Sequence, residues 1–102
     1  MKRIRVLLAD DHSLLRMGLA ALISGETDLE VVGEAEDGDI AVSLAETARP
    51  DVIVMDLMMP ALSGAEATRR VRAQNPAARV LILTSYGTAT ELVDALAAGA
   101  DG

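Results

Sequence analysis

Two rhythms of apolar and polar residues alternate along this chain. Ile4–Ala9 is a continuous apolar run broken only by Arg5, the pattern of a strand buried on both faces. Leu14, Leu15, Gly18, Leu19, Leu22 and Ile23 then fall at helical spacing, with Ser13 as the expected N-cap and Gly25 at the end. Leu29–Ala35 reads as a second strand, and its Glu30 and Glu34 suggest a place at the sheet edge. Asp37-Gly38 is a turn, and Asp39 is the expected cap of a helix carrying Ile40, Ala41, Leu44 and Ala45. Arg49-Pro50-Asp51 breaks that helix. Val52–Asp56 is the most apolar strand and is expected at the centre. The next helix starts near Ser63 and stops at Asn75-Pro76, with Ala67, Thr68 and Val71 inward and Arg69, Arg70 and Arg72 toward water. Arg79–Thr84 is the fourth strand. Thr88–Ala98 is the last helix, with Leu92, Val93, Ala95 and Leu96 inward and Gly99 as a left-handed cap.

Strands alternating with helices through tight connections imply an α/β fold, a doubly wound parallel sheet with helices on both faces. In such a sheet, ligands bind at the carboxyl ends of the strands. Here the first strand ends on Asp10 and Asp11, the third on Asp56, and the fourth on Thr84 and Ser85. The expected architecture therefore brings Asp10, Asp11, Asp56 and Thr84 to one pocket.

Composition narrows the chemistry. The 102 residues make one domain at most, with a core of Leu, Val, Ile, Ala and Met, because Phe and Trp are absent and Tyr86 is the single tyrosine. A net charge of −7 argues against this segment gripping nucleic acid, since phosphate contacts need Lys and Arg. Without cysteine there is no disulfide, thiolate metal site or thiol nucleophile. The apolar run after Met1-Lys2-Arg3 is too short for an export signal, and a membrane span needs about twenty apolar residues. The expected setting is cytoplasmic, with no membrane contact.

Carboxylates crowded at one strand edge repel unless a cation or protons intervene. Asp11 and Asp56, helped by Asp10, make an oxygen-rich site suited to Mg²⁺, which takes one or two carboxylates and keeps several waters. The carbonyl of Met58, two residues past Asp56, is placed to add a ligand. A carboxylate beside such a metal can attack an electrophile, as in aspartyl-phosphate chemistry, and the Thr84 hydroxyl could donate to a phosphoryl oxygen. Each residue alone also has an ordinary reading. Asp10-Asp11 could cap the first helix, Thr84 could start a helix, and Met58-Met59 could be packing. Pro60 and Gly64 are common turn residues, His12 reads as a solvent-facing loop residue rather than a ligand, and the three arginines read as a solvated face. The conjunction of features at one edge favours the site.

These pieces, Leu8-Ala9-Asp10-Asp11-His12, Asp56-Leu57-Met58-Met59-Pro60 with Gly64, Leu83-Thr84-Ser85-Tyr86, and Ala98-Gly99-Ala100-Asp101-Gly102, resemble a bacterial response-regulator receiver domain. The phrasing is most similar to the NarL/LuxR-type subfamily, whose members usually add a C-terminal helix-turn-helix DNA-binding domain. The resemblance covers residues 1–102 and implies a flavodoxin-like sheet of order 2-1-3-4-5, Asp56 as phosphoacceptor, Asp11 on Mg²⁺ directly, Asp10 largely through water, Met58 through its carbonyl, and Thr84 as the switch hydroxyl. It implies a sensor histidine kinase as phosphodonor and DNA contact only through the added domain. The family's fifth strand, fifth helix and phosphoryl-pairing lysine would follow Gly102, so the sequence reads as a receiver cut short. Two alternatives share the topology: a non-phosphorylated interaction module, and an Asp-nucleophile phosphohydrolase, which would place a second Asp where Met58 stands. Arg79–Thr84, apolar on both faces, would be left as a bare sheet edge, so self-association is expected.

Overall fold

The computed structural model describes residues 2–83 and 89–102, with the backbone alone for residues 89–92. The elements are β1 (Ile4–Ala9), α1 (Ser13–Ser24), β2 (Leu29–Ala35), α2 (Gly38–Ala48), β3 (Val52–Met55), α3 (Gly64–Gln74), β4 (Arg79–Ile82) and α4 (Ala89–Ala97). All the strand pairs are parallel and the order is β2-β1-β3-β4. This is the flavodoxin-like, doubly wound order expected from the sequence. β2, with its two glutamates, is at an edge, and β3 lies inside the sheet.

Right-handed crossovers decide which face each helix covers. The chain steps one way from β1 to β2 and the opposite way from β2 to β3 and from β3 to β4. α1 therefore lies on one face, and α2 and α3 on the other; α4 packs beside α3. The three-helix face is finished. Leu7, Ala9, Ile53, Met55 and Val80 from the strands meet Ala41, Ala45, Ala67 and Val71 from the helices, all buried. Small alanines on the helices let them approach the larger β-branched and Leu side chains of the sheet. The α1 face is covered unevenly. Leu8 of β1 is buried, Val54 of β3 is half-buried, and Leu81 of β4 is 45% exposed. α1 itself contributes no buried residue.

Helix ends account for several departures from the sequence reading. α1 is capped by His12, which makes no side-chain cap bond, and Ser13 is already helical. Asp37, not Asp39, caps α2 by accepting from the Ile40 N–H at 2.8 Å. Asp39 lies in the first turn, where a negative charge suits the helix dipole. Ser63 does cap α3, accepting from the Glu66 N–H at 3.2 Å. β3 stops at Met55 and β4 at Ile82, α4 ends at Ala97, and Gly99 takes a positive φ of 116°. Thr84, Ser85, Tyr86 and Thr88 lie outside the described residues, as does the Leu92 side chain.

Three side chains face differently from the expectation. Arg72 is half-buried: its Nη1 donates to the Ala78 carbonyl at 2.7 Å, and its stem lies against Gly99. Val93 and Leu96 are exposed, and Ala95 alone among the expected inward residues with described side chains is buried on α4. The edge of β4 is not bare either. The Asp101 N–H donates to Val80 O at 2.8 Å, Gly102 O accepts from the Ile82 N–H at 2.6 Å, and the Asp101 carboxylate accepts from the Val80 N–H at 2.9 Å. The last two residues thus pair with β4 as a strand would.

Candidate functional site

The parallel register of β1 and β3 sets Ala9 beside Met55, so the residues that follow, Asp10 and Asp56, leave the sheet side by side. The ladders continue one step past the strands. The Asp10 N–H donates to Ala35 O at 3.0 Å and the Asp56 N–H to Ala9 O at 2.9 Å. Both aspartates are buried, at 4% and 5% exposure, and Asp11 sits at the mouth. Asp10, Asp11, His12 and Asp56 each present one ligand atom, all within 4.8 Å of one another. A cleft of about 350 Å³, lined by Asp11, Glu36, Asp37 and Pro60, opens beside them.

The loop carrying Asp56 is held from both ends. Asp56 Oδ1 accepts from the Met58 N–H at 3.2 Å, which fixes the carboxylate and turns Oδ2 toward the cluster. Leu57 and Met59 are buried anchors on either side of the exposed Met58. The Gly64 N–H donates to Leu57 O at 2.9 Å. A methyl group at Gly64 would overlap the Asp56 carbonyl and come within 2.7 Å of Leu57 Cα. Gly64 is therefore glycine because the Asp56 loop lies directly on the start of α3. Arg16 secures the other strand end, donating from Nη1 to Asp10 O at 2.6 Å while its Nε meets Glu34 at 3.2 Å.

His12 was read from sequence as a bystander, and the structure places it inside the cluster. Its backbone N–H reaches Asp10 Oδ1 at 2.7 Å. Its Nδ1 lies 2.9 Å from Asp10 Oδ1, 3.3 Å from Asp11 Oδ1 and 3.8 Å from Asp56 Oδ2. The hydrogen bond to Asp10, then the charges of Asp11, Asp10 and Asp56, raise the imidazole pKa above its ordinary value. Burial raises the Asp56 carboxyl, and the charges of Asp10 and Asp11 add to it against the opposing Met58 N–H. The signal for His12 was adjacency: a residue directly after two strand-end carboxylates, in a turn too tight to carry it away.

Of the residues expected at the site, Asp10, Asp11 and Asp56 are brought together and Met58 is bonded to Asp56. Thr84 lies outside the described residues. The donor set fits a hard divalent cation. It is rich in carboxylate oxygen, and among the described residues only His12 brings a basic side chain within 4 Å of it.

Residues 6–102 match the family model described as the response regulator receiver domain. The transcriptional regulatory protein LiaR of Bacillus subtilis is 44% identical over 97 residues, covering 95% of this chain and 46% of that relative. A LuxR-family two-component response regulator from Aurantimonas sp. superposes with a TM-score of 0.90 at 40% identity, over 99% of this chain and 72% of that one. The receiver domain of a putative response regulator NarL from Mycobacterium tuberculosis gives 0.91 at 35% identity, over 98% and 81%. The chain belongs to the response-regulator receiver family, in the company of LuxR- and NarL-type regulators. It spans about half the length of the curated relatives it matches. Among the described residues, no helix is long and apolar enough to cross a membrane.

Proposed function

We propose that residues 1–102 act as a phosphoacceptor module in which Asp56 takes a phosphoryl group from a sensor histidine kinase. The observation that carries this reading is the convergence of Asp10, Asp11 and Asp56 at the carboxyl ends of two adjacent parallel strands, with Asp56 Oδ2 turned into the cluster. Asp10, Asp11, Asp56 and the Met58 carbonyl would hold Mg²⁺. When bound, the ion neutralises the crowded carboxylates and the charge on the phosphoryl oxygens. Asp56 Oδ2 forms the new bond to phosphorus as the bond from phosphorus to the donor nitrogen breaks, and the donor imidazole leaves with the electron pair. The Met58 N–H keeps Oδ1 occupied, so one oxygen is presented for attack. The Thr84 hydroxyl donates to a phosphoryl oxygen of the product.

In this reading the chain is a switch rather than an enzyme. It works in the cytoplasm, and its output is transcriptional control through a C-terminal helix-turn-helix domain that contacts DNA. The exposed apolar residues of α1, where Leu14, Leu15, Gly18, Leu19 and Leu22 line a shallow groove of about 570 Å³, give it a surface for self-association. The test is intact mass after incubation with Mg²⁺ and a small phosphodonor. One added phosphate that persists for minutes supports a receiver; steady turnover of donor would indicate a hydrolase, and no adduct an inert module.

A further inference from the structure

His12 bears on which metal this site accepts. In an octahedral site with bonds of about 2.1 Å, neighbouring ligand atoms lie roughly 3.0 Å apart; in a tetrahedral site they lie roughly 3.4 Å apart. The His12 Nδ1 distances to the three carboxylate oxygens, 2.9, 3.3 and 3.8 Å, span those separations. The ring is half-exposed and is hinged at the N-cap of α1, where its side chain makes no cap bond. The His12 backbone N–H to Asp10 fixes the turn without engaging the ring. The ring can therefore release the Nδ1 proton it shares with Asp10 to solvent, or keep its one proton on Nε2, and bind a metal through Nδ1 without unravelling the helix start.

We propose that His12 is a nitrogen ligand of the metal site, and that it opens an otherwise all-oxygen site to nitrogen-seeking divalent cations such as Zn²⁺, Ni²⁺ and Cu²⁺. Mg²⁺ gains little from an imidazole, whereas Zn²⁺, Ni²⁺ and Cu²⁺ gain strongly from one. With carboxylates alone the site would favour Mg²⁺ by abundance. With His12 added, a transition metal can hold Asp10, Asp11, Asp56 and an imidazole at once. His12 is then a determinant of metal selectivity, and the inference rests on the metal-site reading above.

Calorimetric titration of Mg²⁺ and of Zn²⁺ into the wild-type chain and into His12→Asn, at one pH, reads the ratio of the two affinities. The expected result is a fall of at least tenfold in the Zn²⁺-to-Mg²⁺ ratio in the variant. Spin-echo spectroscopy of bound Cu²⁺ gives a second readout. Modulation from a nitrogen nucleus is expected in the wild type, altered by ¹⁵N-histidine labelling and lost in His12→Asn. An unchanged ratio, or no nitrogen modulation while Mg²⁺ still binds, overturns the role of His12 and leaves the metal site standing. Absence of any divalent binding by the wild type overturns both.

Discussion

The carboxyl edge of the sheet and the outer face of α1 were built from equally plain sequence patterns, yet they end in opposite physical states. At the edge, charged residues are buried: Asp10 and Asp56 are enclosed, each bonded to a neighbouring backbone or side-chain donor, and the loop between β3 and α3 is pressed onto Gly64. On α1, apolar residues are exposed: Leu14 is 84% and Leu22 72% open to solvent. Burying charge at a cost and exposing hydrocarbon at a cost are both departures from what folding alone favours. The buried charge at the edge marks a place where the chain answers to something besides its own stability.

The largest expected effect separates the two faces of the sheet. Ile53→Ala, in the closed core under α2 and α3, should lower stability by ~2–5 kcal/mol. Leu14→Ala should leave it within about 0.5 kcal/mol. Denaturant midpoints measure both. A cost at Leu14 close to that at Ile53 would mean that the α1 face is covered in solution.

A smaller effect, of opposite sign, is expected at the acidic edge. Asp56→Asn should raise the stability of the metal-free chain by an amount on the order of 1 kcal/mol, because it removes a buried charge beside two others. Added Mg²⁺ should stabilise the wild type by mass action and the variant much less. Equal midpoints for the two proteins in EDTA would remove the case for a strained carboxylate.

The pH dependence follows from the same crowding. The His12 pKa is raised above its ordinary 6.5 and that of Asp56 above its ordinary 3.8, so in both the folded state favours the protonated form. The contribution of His12 is fully present below about 6.5 and is lost as pH rises through its higher folded value; Asp56 acts in the same direction at lower pH. In EDTA, stability should therefore increase as pH falls from above 7 toward 6, and His12→Asn should flatten that rise. A thermal-melt series across this range that shows no slope in the wild type would contradict it. The smallest effect is on association. Leu14→Glu should weaken self-association, seen by sedimentation over a wide concentration range, with little change in stability.

Much of this was legible in the residues. Continuous apolar runs and helical spacing identified every element, because buried parallel strands and amphipathic helices leave different periods. The Glu residues of β2 and the purity of β3 gave the strand positions. The carboxylates were legible because they stand directly at strand ends. Other features depend on distances that spacing does not encode. The spacing of Leu14, Leu19 and Leu22 defines a helix but not which residues are covered. The choice of Asp37 over Asp39 as cap turns on one residue of backbone geometry. Arg72 is drawn in by the Ala78 carbonyl six residues on and by the distant Gly99, and the β4 edge is paired by Asp101 and Gly102, about twenty residues away in sequence. His12 was missed because a single histidine in a loop carries no periodic pattern, and its one cue was its place directly after Asp10-Asp11.

The central claim is that three carboxylates at one sheet edge make Asp56 a metal-assisted phosphoacceptor. Intact-mass analysis after treatment with a small phosphodonor tests it most directly, run on wild type and Asp56→Asn, with Mg²⁺ and with EDTA. One added phosphate on the wild type with Mg²⁺ alone, and none in the other three samples, is the predicted result. Phosphate on the Asn variant, or equal uptake by the wild type in EDTA, would contradict it.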